Sequence, residues 1–475
     1  MVWIYPNEQQ FNTIDMPKQS QEAETRILRS LGDIMLTLPL FIRQKLISTI
    51  FMNRFFYSVL LYLLSPLLIV YLAFRAIKSP DYRGRWGERF GLTRLKSTDL
   101  LIHSVSMGET LAAIPLIRQI QQAHPQLKIT VTTSSPTGSA EVRKAFGDQV
   151  QHCYLPFDLP WCVNRFLRQL SPKWCIIMET ELWPNLVALA AKRGVRLMLA
   201  NARLSAKSAA QYAKRPHLSR PMLQRLDVVA VQTQAEAQRF IDLGVPADRV
   251  TVCGSLKFDL SITPERLTLA RELRQTWGKE TAPVWVAGSV HPGEFDAMLS
   301  AHKQLLAKWP EALLVIAPRH PEQFAAVADV VANQGFEFVR RSDAQAITAT
   351  TQVLVGDTMG ELLTFYGAAD QAFVGGTLIE NGGHNPLEPV AMGVPVMVGP
   401  NHWDFAQITQ MLADAGGLRI VSSGQALGDN LIQYFEQPAL RQQAAKAGLA
   451  VVEANRGALQ RQFALAESLL TRQTA

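Results

Sequence analysis

The sequence predicts an α/β chain made of two Rossmann-like, doubly wound domains behind an N-terminal membrane anchor helix. Three observations carry this. Strand-length apolar runs alternate with amphipathic stretches from Leu100 onward, the alternation restarts after a linker-like region, and an uncharged apolar run precedes both. At 475 residues the chain exceeds one ordinary core and suits two domains. An apolar fraction of 48% with 18% charged residues marks a globular chain and excludes a disordered one. The net charge of +7 favours anionic partners such as an anionic membrane surface or phosphorylated small molecules. With no zinc finger, RNA-binding aromatic motif or long lysine tract, no nucleic-acid partner is expected. Cys153, Cys162, Cys175 and Cys253 form no C-x-x-C pair, which fits a reducing compartment and predicts no metal site.

In chain order, residues 1–54 read as an extension, partly disordered, in which IMLTLPLFIRQKLISTIF has the makings of an amphipathic surface helix broken by Pro39. The anchor is expected over residues 55–77, where FFYSVLLYLLSPLLIVYLAF carries no charge over about the 20 residues that cross a hydrocarbon core. Pro66 near its middle is tolerable in a membrane helix. Positive charge is denser downstream (Arg75, Lys78, Arg83, Arg85, Arg89, Arg94, Lys96) than upstream (Arg43, Lys45, Arg54), which places residues 75–475 in the cytoplasm. A monotopic anchor is the alternative reading of the same run. The next segment, RGRWGERFG, mixes basic and aromatic residues suited to headgroup phosphates, or is a solvated loop.

The first doubly wound domain is expected over residues 78–258. There LLIHSV, KITVTTSS, WCIIMET, VRLMLANAR and VVAVQT each precede an amphipathic or Ala-rich stretch, and RVTVCGS closes the series. The second is expected over residues 259–475, with PVWVAGS, LLVIAPR, QVLVGD, AFVGG and PVMVGP as its strands. Ligands of such sheets bind beyond the carboxyl ends of strands, so the loops there hold the candidate chemistry.

After LLIHSV, SMGE sets Glu109 at a helix start, where a carboxylate can serve as general base or merely decorate the helix. WCIIMETELWPN ends a strand with Glu179 and Glu181, neighbouring carboxylates that invite shifted proton affinities; Glu181 can alternatively cap the next helix. GSLKFD puts Lys257 at the junction of the halves. In the second half, APRHPE places Arg319 at a strand end and GDTMGEL reads as a helix start able to hold an anion. GGTLIENGGHNPLEP leads into a helix near Asn385–Pro386, with Glu388 in its first turn. Three such loops in one half favour a nucleotide site.

Taken in order, HSVSMGE, LPFDLP, IMETELWPN, ANARLS, GSLKFD, PRHPE, VGDTMGEL and FVGG…GGHNPLEP resemble the bacterial 3-deoxy-D-manno-octulosonic acid (Kdo) transferases of lipopolysaccharide synthesis, from about Asn53 to about Leu470. The resemblance implies a GT-B fold, two Rossmann-like domains facing a cleft, with the last helix packing back on the N-terminal domain. It implies transfer of Kdo from CMP-Kdo to a tetra-acylated lipid A precursor, with inversion and without cofactor or metal. Inner-membrane lipids are the surrounding partner, with the catalytic domains on the cytoplasmic side of a bacterial inner membrane. Carried over by motif, Glu109 is the general base, and Glu179 and Lys257 stabilise transition-state charge. Pro318, Arg319, Met359, Gly360, Glu361, Asn385, Pro386, Leu387 and Glu388 form the CMP site. The loop AGSVHPGEF departs from the family's usual Thr-containing version, and residues 1–51 fall outside the resemblance. The alternatives are a GT-B transferase using another nucleotide sugar on a lipid-linked acceptor, a nucleotide-sugar epimerase, and a non-catalytic membrane scaffold.

Overall fold

A computed structural model describes residues 53–260 and 262–471, so the expected N-terminal extension lies outside the described residues except for its last two. Among the described residues there are fourteen strands: β1 Leu100–His103, β2 Ile129–Thr133, β3 Gln151–Tyr154, β4 Trp174–Met178, β5 Arg196–Ala202, β6 Val228–Val231, β7 Val250–Val252, β8 Val284–Val290, β9 Leu313–Pro318, β10 Phe338–Arg340, β11 Val353–Val355, β12 Gln371–Val374, β13 Val396–Val398 and β14 Leu418–Ile420. They form two seven-stranded parallel sheets, ordered β3-β2-β1-β4-β5-β6-β7 and β10-β11-β9-β8-β12-β13-β14. The chain divides into two compact units, residues 260–455 and residues 53–259 together with 456–471.

Central strands such as β1 and β2 are buried throughout, as a parallel sheet covered by helices on both faces requires. Three strands escape the apolar-run reading of the sequence: β3, β10 and β14. All three are sheet edges and only partly buried, so QHCY, FVR and LRI lack the continuous apolar signal of a central strand. Strand order reverses between β1 and β4 in the first sheet and between β8 and β12 in the second. Loops leaving these strand pairs open a crevice in which open α/β sheets bind ligands.

The final helix, Ala458–Thr471, belongs to the first sheet's unit. Gln462 accepts from the Asn201 N–H at 2.8 Å and donates to the Gly254 carbonyl at 3.2 Å, while the Asp259 carboxylate receives the N–H groups of Gly457 and Leu459 at 2.7 and 2.5 Å. Two separate core clusters underlie the sheets, one around Leu116, Ile117 and Ile176 and the other around Trp285, Leu314 and Phe373. All four cysteines are buried free thiols.

The uncharged run forms one helix, Arg54–Lys78, long and apolar enough to cross a membrane by length and composition. Asn53 caps it by accepting from the N–H groups of Phe55 and Phe56 at 2.9 and 3.2 Å. Pro66 cannot donate to the Tyr62 carbonyl, and the Ser65 hydroxyl takes over that bond at 2.7 Å, so the helix continues through the proline. The helix is tied to its own unit near both ends. Tyr57 donates to Asp158 at 3.1 Å, Ser58 to Asn185 at 3.1 Å, and the Trp161 N–H to the Tyr62 hydroxyl at 3.2 Å. At the far end Leu72 is buried, and Arg75 donates to the Tyr82 hydroxyl at 2.7 Å.

Candidate active site

The loop after β1 enters the helix Met107–Ala123, whose N-cap is Ser106. The Ser106 hydroxyl accepts from the Glu109 N–H at 3.3 Å. The Glu109 carboxylate in return accepts from the Val105 N–H at 2.7 Å, the Ser106 N–H at 3.3 Å and the Ser106 hydroxyl at 2.8 Å. This is a capping box, so the S-x-x-E spacing that reads as helix decoration also immobilises the carboxylate. Of the roughly four acceptor positions on a carboxylate, one is left for a further donor.

β4 pairs with β1, which brings its loop to the same switch point. Glu179 follows β4 with φ 52°, a left-handed conformation that is strained for a residue with a Cβ. Its N–H donates to the Ala200 carbonyl at 2.9 Å, and its carboxylate makes a loose ion pair with Lys257 at 3.9 Å. Lys257 sits on the short turn Leu256–Phe258, pinned where the Leu256 N–H donates to Asn201 at 3.0 Å. Glu181 does not cap the next helix, since that helix starts at Pro184 with Trp183 as its N-cap.

The three carboxylates share one electrostatic environment. Burial, then Glu181, then Glu179 hold the Glu109 carboxyl well above the ordinary carboxylate range, against the pull of the Val105 N–H and the Ser106 hydroxyl. Burial and Glu179 push Glu181 up as well. A group raised in this way is protonated at pH values where an exposed carboxylate is already ionised. If Glu109 acts as a base, the acid limb of kcat/KM therefore lies above the ordinary carboxylate range, and Glu179→Gln, which removes a negative neighbour, moves it down. Stability carries the same signature. Above the unfolded value of 4.5 the unfolded chain releases its protons first, so thermal stability falls as pH rises from 4.5 toward the raised folded values. A pH–rate profile that does not move in Glu179→Gln would remove the coupling between these residues from the mechanism.

In the other unit, Pro318 ends β9 and the Arg319 N–H donates to the Val290 carbonyl of β8 at 3.0 Å. The helix Leu387–Ala391 has Pro386 as its N-cap, and Asn385 accepts from the Leu387 N–H at 3.1 Å. Burial raises the Glu388 carboxyl, while Asn385 and the Arg319 charge oppose the rise. Pro318, Arg319 and Asn385 to Glu388 are thus brought to one place. Met359, Gly360 and Glu361 follow β11, on the far side of β9. Met359 is exposed and Gly360 has φ 89°. The Glu361 carboxylate holds Arg341 through Nη2 at 2.8 Å and Nε at 3.1 Å and also accepts from Thr358. The helix it precedes, Leu362–Gly367, has only six residues. The anion-holding helix start read from GDTMGEL is therefore a short turn whose carboxylate is already paired.

Sequence reasoning missed the residues that shape this second switch point. Glu294 is fully buried and accepts from four backbone N–H groups: His291 at 3.0 Å, Gly376 at 2.7 Å, Thr377 at 3.0 Å and Leu378 at 3.0 Å. The N–H concavity after β12, a form that often binds anions, is filled by the chain's own carboxylate. Gly375 is required there, because a Cβ would lie 2.4 Å from the Ser289 carbonyl oxygen. His291 and His384 face one another with Nε2 atoms 2.8 Å apart, and Asn381 approaches His291 Nε2 at 3.1 Å. Burial first, then His320 and Arg319, lower His291 to about 4. Burial first, then His291, Arg319 and His320, lower His384 to about 3, so the pair is neutral near pH 7. The signal available in the sequence was HPGE, with the carboxylate three residues after the histidine and just ahead of a helix.

A family model described as 3-deoxy-D-manno-octulosonic-acid transferase (kdotransferase) matches residues 84–260. The 3-deoxy-D-manno-octulosonic acid transferase of Haemophilus influenzae is 43% identical over 89% of this chain and 100% of its own length. The C-terminal CMP-Kdo binding domain of WaaA from Acinetobacter baumannii is 31% identical, covers 44% of this chain and 100% of that chain, and superposes with a TM-score of 0.36. The UDP-GlcNAc 2-epimerase of Neisseria meningitidis shares the fold alone, at 14% identity, a TM-score of 0.52 and coverage of 79% of this chain and 100% of that one.

Proposed function

Because the chain belongs to the 3-deoxy-D-manno-octulosonic acid transferase family and is a glycosyltransferase, we propose that it moves Kdo from CMP-Kdo to a tetra-acylated lipid A precursor, with inversion, at the cytoplasmic face of a bacterial inner membrane. The observation that carries the chemistry is Glu109: an immobilised, buried carboxylate of raised proton affinity, beside two further carboxylates and Lys257. A carboxylate that ionises nearer to neutrality is a stronger base toward a sugar hydroxyl.

The acceptor hydroxyl attacks the anomeric carbon of Kdo and gives its proton to Glu109. The bond from that carbon to the phosphate oxygen of CMP breaks, and CMP leaves with the electron pair. Positive charge that develops on the sugar ring is balanced by Glu179, whose own charge Lys257 tempers. Arg319 holds the departing phosphate, while Pro318 and the turn from Asn385 to Glu388 hold the nucleotide; Met359 to Glu361 flank it. Fixed charge of this kind is often the largest catalytic contribution. The apolar helix Arg54–Lys78 keeps the enzyme among inner-membrane lipids, where its acceptor resides.

Transfer from CMP-Kdo, generated in the assay, to a tetra-acylated lipid A precursor tests the reading. Product is expected from the full chain, and its mass gives the number of sugars added. Well-folded protein that gives none in detergent or in vesicles rejects the donor–acceptor pair.

A further inference from the structure

The helix Arg54–Lys78 passes the length test for crossing a bilayer, yet the way it is held conflicts with crossing. At 1.5 Å per residue its 25 residues reach about 37 Å. Tyr57, Ser58 and Tyr62 are hydrogen-bonded to the folded unit at one end; at the other, Leu72 is buried and Arg75 donates to Tyr82 of the returning chain. Only residues 63–71 lie between these ties, a rise of about 14 Å against a hydrocarbon core of about 30 Å. The returning chain is itself fixed to the same unit. The Phe157 N–H donates to the Arg89 carbonyl at 2.8 Å, Arg85 donates to Ser139 at 2.7 Å, and the Tyr154 N–H donates to Glu88 at 2.7 Å.

The burial pattern agrees. Tyr57, Leu61, Ser65, Leu68, Leu72 and Arg75 are buried or half-buried, in steps of three and four residues. Phe55, Val59, Leu63, Leu67, Val70 and Phe74 are exposed in the same rhythm, with Leu63 at 72% and Val70 at 63%. One face of the helix meets protein and the other is a continuous apolar row, continued by the exposed Trp161. Charge sits at both ends of the row. Arg54 and Arg225 line a cavity of about 290 Å³ with Phe55, Leu218 and Met222 at the start, and exposed Arg83 donates to the Ala76 carbonyl at 3.0 Å at the finish.

We infer that this helix lies along its own unit in the plane of the membrane and enters one leaflet through its exposed apolar face, so that the chain before and after it stays on the same side. The occupant of the face is a bilayer with anionic headgroups: the row is longer and more apolar than a soluble surface carries singly, and cations flank it as they do in interfacial helices. The inference rests on the membrane reading above and changes its topology.

Single-cysteine variants of the full chain test it, because the four native thiols are buried. Ser20→Cys and Asp81→Cys are expected to react with a membrane-impermeant thiol reagent only in inverted vesicles, and neither in intact spheroplasts. Fluorophores at Leu63→Cys, Leu67→Cys and Val70→Cys are expected at one common shallow depth, read by quenching with brominated lipids. Thermal unfolding checks that each variant is folded. Ser20→Cys and Asp81→Cys reacting from opposite sides, or Leu63 and Val70 differing in depth by about the 10 Å of seven helical residues, would overturn the in-plane placement while keeping the membrane reading. Membrane-bound protein whose three fluorophores meet no lipid would show the face covered by protein, for instance residues 34–51, and would overturn it too. Wild-type chain recovered in the soluble fraction overturns both readings.

Discussion

Glu109→Ala is expected to lower the rate of transfer by about 10² to 10⁴, the usual weight of a positioned general base. The variant should fold. Losing the capping box costs about 1 kcal/mol, and removing one of three crowded carboxylates returns part of it. Single-turnover rates beside thermal denaturation separate the two effects. Ser106→Ala gives the internal comparison, because it removes the cap hydroxyl and leaves the carboxylate in place. Its rate should fall far less than that of Glu109→Ala while its stability falls by a similar amount. Equal rates for Glu109→Ala and wild type would leave Glu109 as a helix cap and nothing more.

The largest effect on stability is expected from Glu294→Ala. Four N–H groups, three of them buried, lose their acceptor at once. A buried donor left without a partner costs about 1–3 kcal/mol, and water entering the vacated space recovers part, so a net loss of about 3 kcal/mol or more follows. The segment after β12 that leads to Asn385 and Glu388 loses its shape with it. Glu294→Gln keeps one carbonyl oxygen to accept but turns an NH₂ toward the remaining donors, and should fall between alanine and wild type. Calorimetry reads the stability, and the affinity for CMP, measured by titration on protein that remains folded, reads the loop. A Glu294→Ala variant as stable as wild type would mean that the loop satisfies its N–H groups in another way.

Much of this was legible in the sequence because parallel strands covered on both faces leave uninterrupted apolar runs. LLIHSV, WCIIMET and LLVIAPR announce β1, β4 and β9, and Glu179 and Arg319 stand just past the ends of β4 and β9. Edge strands carry a weaker signal: β7 was readable from RVTVCGS, whereas QHCY, FVR and LRI were invisible. The site was legible as far as side chains follow strand ends directly. Glu294 does not: its role depends on backbone N–H groups more than eighty residues away, and no local pattern encodes that meeting. Glu361 shows the reverse limit, since a glycine before a short helix looks the same in the sequence whether or not Arg341 is paired with the carboxylate. Hydropathy located the apolar helix Arg54–Lys78 along the chain but is blind to direction. Tyr57, Ser58 and Tyr62 count as tolerable members of an apolar run until their hydroxyls are seen to point at Asp158, Asn185 and Trp161.

The helix Ala458–Thr471 has a consequence for how the protein is made. It completes the unit whose sheet begins at Leu100, and Asn201, Gly254 and Asp259 await bonding partners, Gly457 and Gln462, that are translated much later. At roughly 5–20 residues per second, ribosomes need on the order of ten seconds or more to deliver them after Asp259 emerges. Residues 260–455 are contiguous and can fold during that interval, so the second unit in the sequence is the first able to finish. A stop codon near residue 455 would therefore leave the later half able to fold and the earlier half incomplete, and proteolysis of nascent chains should show the two maturing in reverse order of synthesis.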